Sequence, residues 1–258
     1  MIVRVENLSV QYGAIRALER VSFTARPGAI LGITGPNGSG KSSLVKALAG
    51  IVRSAGSILF DERPVRPDAI GYMAQDIGGT AALTVLELVL LGRLQRLGAR
   101  VSPTDLAAVG KVLGELDMLA LSSRYLGELS GGQRQIAFLA QALASEPEVL
   151  LLDEPLSALD LRHQLEVMDL VRHVTRDRNL TTICVLHDLN ALARYAQYVG
   201  LLERGNLTAL GDPVDVLTVE NIQRAFQVEA SVRDFDGDRI IVPIKPAETA
   251  ARHSGGSN

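Results

Sequence analysis

The sequence has no tryptophan, one cysteine, and aromatic residues at 4% of its 258 positions. A lone cysteine excludes a disulfide within the chain. Cys184 lies in the apolar run Thr182-Ile183-Cys184-Val185-Leu186, the setting of a small buried hydrophobe rather than a reactive thiol. An excess of either charge is also missing: 26 Lys and Arg are interleaved with 29 Asp and Glu, for a net charge of -3. With no basic face to release counterions, nucleic acid is excluded as the expected partner. No run approaches the ~18 apolar residues of a membrane-spanning helix. The start, Met1-Ile2-Val3-Arg4-Val5-Glu6, lacks the basic opening and long apolar stretch of a signal peptide. The expectation is a soluble, cytoplasmic chain whose membrane role, if any, is borrowed from another subunit. With 47% hydrophobic residues, it has ample side chain for a sizeable core.

Two periodicities alternate along the chain. Short β segments are predicted at 2–10, 17–25 and 29–34, punctuated by Tyr12-Gly13 and Pro27-Gly28, and the last is almost wholly apolar, as a buried parallel strand is. Helical spacing follows over 43–50 through Leu44, Val45 and Leu48, with Gly50 where a helix-ending glycine belongs. From about 80 to 145 the helical period dominates, with Leu106, Val109, Val112, Leu113, Leu116 and Leu119 in one apolar stripe, so a helical insert is expected there. Strand composition returns at 149–152 and 181–186, with a helix between them from about 160 to 176. Segments 199–202 and 207–210 flank Arg204-Gly205 as a hairpin would. Asp212-Pro213 opens a helix to about 226, and 228–244 reads as a β piece folded at Asp236-Gly237. The stretch 246–258 is small and polar, and is expected to be a disordered tail. The fold class predicted is α/β, as a single domain over 1–245 with the helical insert at about 80–145.

Gly35-Pro36-Asn37-Gly38-Ser39-Gly40-Lys41-Ser42 fits the phosphate-loop pattern G-x-x-x-x-G-K-[ST], between a predicted strand and a predicted helix as that pattern requires. Its glycines let backbone N–H groups converge on phosphates, and the helix N-terminus adds positive potential. Lys41 is expected to reach the β/γ oxygens, and the Ser42 hydroxyl to ligate Mg²⁺. Val149-Leu150-Leu151-Leu152-Asp153-Glu154 is an apolar strand ending in two acids, which places carboxylates at the edge of a parallel sheet where ligands bind. Acids ending a strand are often merely solvated. Downstream of a phosphate loop, Asp153 reads as a water-mediated Mg²⁺ ligand and Glu154 as the general base for an attacking water. Ser130 and Gly131-Gly132, just ahead of an amphipathic helix, form a second N-terminus suited to an anion.

Leu129-Ser130-Gly131-Gly132-Gln133 occurs together with Gln75, Ser157-Ala158-Leu159-Asp160 and His187 in the order characteristic of ABC ATPases, and the chain resembles that family from residue 2 to about 244. The resemblance implies a P-loop NTPase core of ABC ATPase type, with an antiparallel β subdomain and an inserted α-helical subdomain. ATP and Mg²⁺ are the implied ligands, and hydrolysis to ADP and phosphate the implied reaction. It further implies that segment 129–133 of one subunit closes over ATP held by the phosphate loop of its partner. Nucleotide contacts are then expected from Gly35 through Lys41, from Ser42 and Ser43, and from Tyr12 stacked on adenine. Ser42, Gln75 and Asp153 are implied to hold Mg²⁺. Ser130, Gly131, Gly132 and Gln133 face the partner's nucleotide, and Asp160 lies in the loop crossing the dimer interface. Lys41, Glu154 and His187 are implied to carry catalysis, with His187 touching the γ-phosphate. Taken alone, Tyr12 can equally be packing, Gln75 means little, and a histidine such as His187 is more often structural. His163, His173 and His253 have no such setting and receive no role. Ser43 stands where threonine is commoner in the family, and 135–141 lacks two frequently basic positions.

Segments 83–93, 160–164 and 187–196 resemble the importer branch that serves iron-siderophore, haem and cobalamin uptake. The implied partners are a second, identical or paired ABC ATPase, two transmembrane permease subunits and an extracytoplasmic substrate-binding protein. The implied place is the cytoplasmic face of the plasma membrane. Gln75 to Arg93, with Gly78-Gly79 supplying backbone freedom, is expected to dock a cytoplasmic helix of the permease. The rivals are a non-transport ABC ATPase of repair or translation, a stand-alone nucleotide switch, and an importer of another substrate. The first usually has long coiled-coil insertions or a second cassette, which this chain lacks. The second has no use for the 129–133 segment.

Overall fold

β1 (Val3–Tyr12) and β2 (Ile15–Ala25) pair antiparallel as far as Tyr12↔Ile15, so their turn consists of Gly13 and Ala14, with Gly13 at φ 57. Both strands outrun the expected segments because the pairing continues through the polar pair Gln11↔Arg16. The computed structural model describes residues 1–64, 66–75, 82–94, 101–235 and 238–247. β3 (Ala29–Thr34) is followed by α1 (Lys41–Leu48), which starts at Lys41 rather than 43 because the phosphate loop sets its first turn before any apolar period begins. β4 (Ala55–Phe60), β5 (Arg63–Pro64) and β6 (Ile70–Met73) lack a clear strand signal, with Gly56-Ser57 diluting the first and two residues making up the second.

The insert comprises α2 (Val85–Leu91), α3 (Pro103–Glu115) and α4 (Gly131–Ala144), opened by capping boxes at Thr84, Ser102 and Ser130. Val109, Val112, Leu113 and Leu116 are buried as expected, but Leu106 and Leu119 are 46% and 55% exposed. In the first turn of α3 the buried position belongs to Asp105, which accepts a hydrogen bond from Arg93 Nε at 3.1 Å. Leu119 lies past the end of α3, where Asp117 at φ 55 breaks the helical period. Arg93 is itself buried and donates to the Ala144 carbonyl at 2.7 Å, so the expected docking segment ends in core rather than on the surface. Gly78-Gly79 lie outside the described residues.

The chain continues through β7 (Val149–Asp153), α5 (Leu161–Asp177), β8 (Thr181–Val185), α6 (Leu189–Tyr195), β9 (Tyr198–Glu203) and β10 (Asn206–Gly211). The helix expected over 212–226 is two helices, α7 (Pro213–Val216) and α8 (Val219–Phe226), because the Thr218 hydroxyl accepts from the Asn221 N–H and starts a new N-terminus. β11 (Val228–Phe235) and β12 (Asp238–Pro246) pair antiparallel to Phe235↔Asp238. The turn expected at Asp236-Gly237 lies outside the described residues. Pro246 belongs to β12 and the Ala247 N–H donates to the Gln227 carbonyl at 2.8 Å; residues 248–258 are not among those described.

The central sheet has the order β10-β9-β3-β8-β7-β6, parallel except for the edge pair β9–β10; a second, antiparallel sheet runs β2-β1-β4-β5. Successive residues of β7 serve two cores. Leu150 and Leu152 join the cluster with Leu139, Leu143 and Val171, whereas Val149 and Leu151 join Val5, Leu18 and Leu44 beneath the antiparallel sheet. Covered on both faces, such a strand reads as a continuous apolar run. The adjacency β3-β8-β7-β6 sets the segments that follow these strands side by side, and there the candidate site is built.

Candidate nucleotide site

The phosphate loop is wedged between neighbours. At Gly35, φ 146, a Cβ would stand 2.0 Å from the Leu202 carbonyl oxygen, and at Gly40, φ 105, one would stand 2.4 Å from that of Ala17. No side chain fits either place, which is why these loop positions are glycine. α1 then opens with no side-chain cap and no acid in its first turn. Every other described helix longer than a single turn is capped by its own side chain, from Thr84, Ser102, Ser130, Asp160, Asp188 or Thr218. The open donors of α1 are those an anion would satisfy.

Lys41 is 5% exposed, and its Nζ donates to the carbonyls of Gly35 and Pro36, each at 2.9 Å. Burial lowers its pKa, against the opposing pull of the Glu154 and Asp153 charges. Ser42 Oγ donates to Asp153 Oδ1 at 3.1 Å. Asp153 is 1% exposed, and burial pushes its carboxyl above the ordinary range despite that hydrogen bond. A buried carboxyl under this strain suits a counter-cation.

Glu154 is the hub. It sits just past β7 at φ 55, and its N–H donates to the Val185 carbonyl at 3.2 Å. Its Oε2 accepts from Gln75 Nε2 at 2.6 Å and from Ser157 Oγ at 3.3 Å, while His187 Nε2 lies 2.6 Å from Oε1. Facing a carboxylate, that ring nitrogen is the donor. Gln75 follows β6 and His187 follows β8, so the segments after three neighbouring strands converge on one carboxylate. Ser157 received no individual role from the sequence; its spacing three residues beyond Glu154 is the signal that could have found it.

Among the described residues, no group of three His, Cys, Asp and Glu could hold a metal ion. Ser42, Asp153 and Gln75 offer a hydroxyl, a carboxylate and an amide. These are hard oxygen donors of the kind Mg²⁺ takes alongside phosphate and water, so the residues present fit that ion.

The Ser130 hydroxyl accepts from the Gln133 N–H at 3.2 Å, and Gln133 Oε1 accepts from the Ser130 N–H at 3.1 Å, so the N-terminus of α4 caps itself. Gly131 packs near Leu159, and Gly132 against His163. Asp160 caps α5, and the His163 N–H and ring together hold its carboxyl below the ordinary range. Tyr12 is 43% exposed at the β1–β2 turn; Asn37 and Gly38 are exposed, and Ser43 is half-buried.

The profile of the family described as ABC transporter matches residues 18–157. The ferric enterobactin transport ATP-binding protein FepC of Escherichia coli (strain K12) is 34% identical over 254 residues, covering 94% of each chain. The hemin import ATP-binding protein HmuV of Pseudomonas aeruginosa is 38% identical over 245 residues, covering 90% of this chain and 95% of its own. Among solved structures, an inward-facing conformation of a metal-chelate type ABC transporter superposes with a TM-score of 0.84 at 30% identity, over 95% of this chain and 98% of that one.

Proposed function

The chain belongs to the ABC transporter ATP-binding family, and from that premise we propose that it energises import of an iron-siderophore, haem or cobalamin-type metal chelate by the chemistry of the cluster around Glu154. It binds ATP and hydrolyses it to ADP and phosphate. In this reading 1–245 act as one domain. The loop from Gly35 to Ser43 and the open N-terminus of α1 hold the phosphates, and Tyr12 stacks on the adenine. Lys41 exchanges its two carbonyl partners for the β/γ oxygens. Ser42, Asp153 and Gln75 would hold Mg²⁺, which when bound neutralises charge on those oxygens. Glu154 takes the proton of the attacking water as that oxygen bonds to the γ-phosphorus and the bridge to ADP breaks. Gln75, Ser157 and His187 keep the carboxylate aimed, and His187 also meets the γ-phosphate.

Ser130, Gly131, Gly132, Gln133 and Asp160 complete the site of a second ATPase subunit. The likeness to a ferric enterobactin and a hemin ATP-binding protein supports the substrate class and the direction. Among the described residues, no helix is long and apolar enough to cross a membrane. The reading therefore includes two transmembrane permease subunits holding the chain at the cytoplasmic face of the membrane, and an extracytoplasmic binding protein that delivers the substrate. Among the described residues, the exposed Leu91 of the docking segment and Leu94 just past its end offer apolar side chains to a permease helix.

The convergence of Gln75, Ser157 and His187 on Glu154 is the observation that carries the mechanism. Co-expression with candidate permease subunits from the same organism tests the function. A stable complex should form, with ATPase activity stimulated by a chelate-loaded binding protein and blunted by Leu91→Glu. Failure to join any membrane protein, with full activity alone, would sink the transport reading.

A further inference from the structure

His163 takes no part in the Glu154 cluster, yet its ring joins the two segments that the proposed function turns towards a second subunit. A Cβ at Gly132 would stand 2.0 Å from His163 Cδ2 and 2.5 Å from Cγ, so the imidazole rests directly against the backbone of the first turn of α4. Its Nδ1 lies 2.7 Å from Asp160 Oδ1, the same oxygen that accepts the His163 N–H at 2.9 Å. A carboxylate only accepts, so Nδ1 carries the proton, and this bond fixes the ring plane that meets Gly132. Leu159, on the other side of Asp160, sits 3.5 Å from where a Cβ of Gly131 would be. Asp160 and the 130–133 segment are thus held to each other through the side chains of His163 and Leu159.

We propose that His163 is a positioning residue, which locks Asp160 to the N-terminus of α4 so that both meet the partner's nucleotide as one preformed surface. The inference rests on the shared-site reading above. Its physical basis is preorganisation: two separately mobile segments would each have to be ordered when the subunits close, and the imidazole bridge makes that ordering a property of the single chain. The alternative is that the ring merely reinforces the first turn of α5. A helix cap changes thermal stability and leaves association alone.

The test uses the full chain carrying Glu154→Gln, so that ATP is bound but not consumed. Two quantities are read: affinity for a fluorescent ATP analogue at chain concentrations too low for association, and the dissociation constant of the ATP-driven dimer by sedimentation. His163→Ala should leave the first unchanged and raise the second about tenfold, the cost of one charge-assisted hydrogen bond. His163→Asn keeps a planar N–H donor for Asp160 and should recover most of the loss. If His163→Ala does not fold, His163→Gln fills the volume with its amide one methylene too far out, and serves in the same comparison with Asn. An unchanged dimer constant, or equal defects in the Ala (or Gln) and Asn variants that track melting temperature, would overturn the proposal. A Glu154→Gln chain that stays monomeric with ATP overturns the shared-site reading itself, and this inference with it.

Discussion

Two helix N-termini read alike in the sequence, each with two glycines and a serine just before or within its first turn, and the fold treats them in opposite ways. That of α1 is uncapped, backed by a buried lysine, and pinned by Leu202 and Ala17. That of α4 is exposed and satisfies itself through the Ser130–Gln133 capping box. The first is prepared for an anion by the single chain. In the shared-site reading proposed above, the second would exchange that hydrogen-bonded arrangement for the partner's nucleotide, and so engage only on closure. If two subunits close over ATP as proposed, this asymmetry links binding to closure, because two equally open ends would bind nucleotide independently.

Glu154→Gln sharpens the contrast most, because it leaves both N-termini intact and removes only the proposed base. Phosphate release should fall by about 10²–10⁴ with ATP still bound. The variant should also accumulate as an ATP-loaded dimer on sizing. A fully active monomer would break the comparison at its root. Lys41→Ala acts on α1 alone: losing a charged donor worth ~1.5–3 kcal/mol should weaken ATP binding by the single chain up to about a hundredfold, measurable by titration with a fluorescent nucleotide. Ser130→Ala acts on α4 alone. It should leave single-chain ATP affinity unchanged, cost about 1 kcal/mol in chemical unfolding through the lost cap, and slow turnover of the assembled transporter roughly tenfold. If Ser130→Ala weakened single-chain binding as Lys41→Ala does, the two N-termini would be equivalent after all.

The phosphate loop and the two acids at the end of the β7 run are legible as candidates because their chemistry is local: a strand, a tight turn and a fixed residue type within a few positions. The stripe from Val109 to Leu116 is legible for the same reason, as a helical period. His187 is legible only through the family resemblance. What escaped depends on distance in sequence. The bond from Gln75 to Glu154 spans 79 residues, and that from His187 to Glu154 spans 33. The family resemblance implies a place near the phosphates for each, but neither it nor spacing aims all of them at one carboxylate. His163 was passed over because its partners are a backbone at Gly132 and a helix cap, neither of which leaves a motif. Leu106 misled because helical period counts apolar residues, while the inward position of that turn had been taken by Asp105 and its buried pair with Arg93.

The same opposition extends to the two aspartates, with the smallest measurable effect. Burial raises the Asp153 carboxyl above its ordinary value of 3.8, and hydrogen bonds from His163 lower that of Asp160. For an acid raised in the fold, the charged form is the disfavoured one. The nucleotide-free chain therefore carries a penalty at Asp153 that is full above the raised folded pKa and relieved as pH falls towards the unfolded value. For Asp160 the sign reverses: its contribution is present above the unfolded pKa and lost as pH falls through the lowered one. Asp153→Asn should accordingly raise the melting temperature of the nucleotide-free chain at neutral pH by about 2 °C, if ~1 kcal/mol is recovered, with the gain shrinking in acid. Asp160→Asn should lower it slightly, with the loss shrinking in acid. Adding Mg-ATP should stabilise the parent chain more than Asp153→Asn, because the ion that offsets the buried charge has lost its carboxylate. Scanning calorimetry across acid and neutral pH, with and without Mg-ATP, reads all three. A nucleotide-free Asp153→Asn chain less stable than the parent at neutral pH would show that Asp153 is a structural anchor for Ser42 rather than a charge held in waiting for a cation.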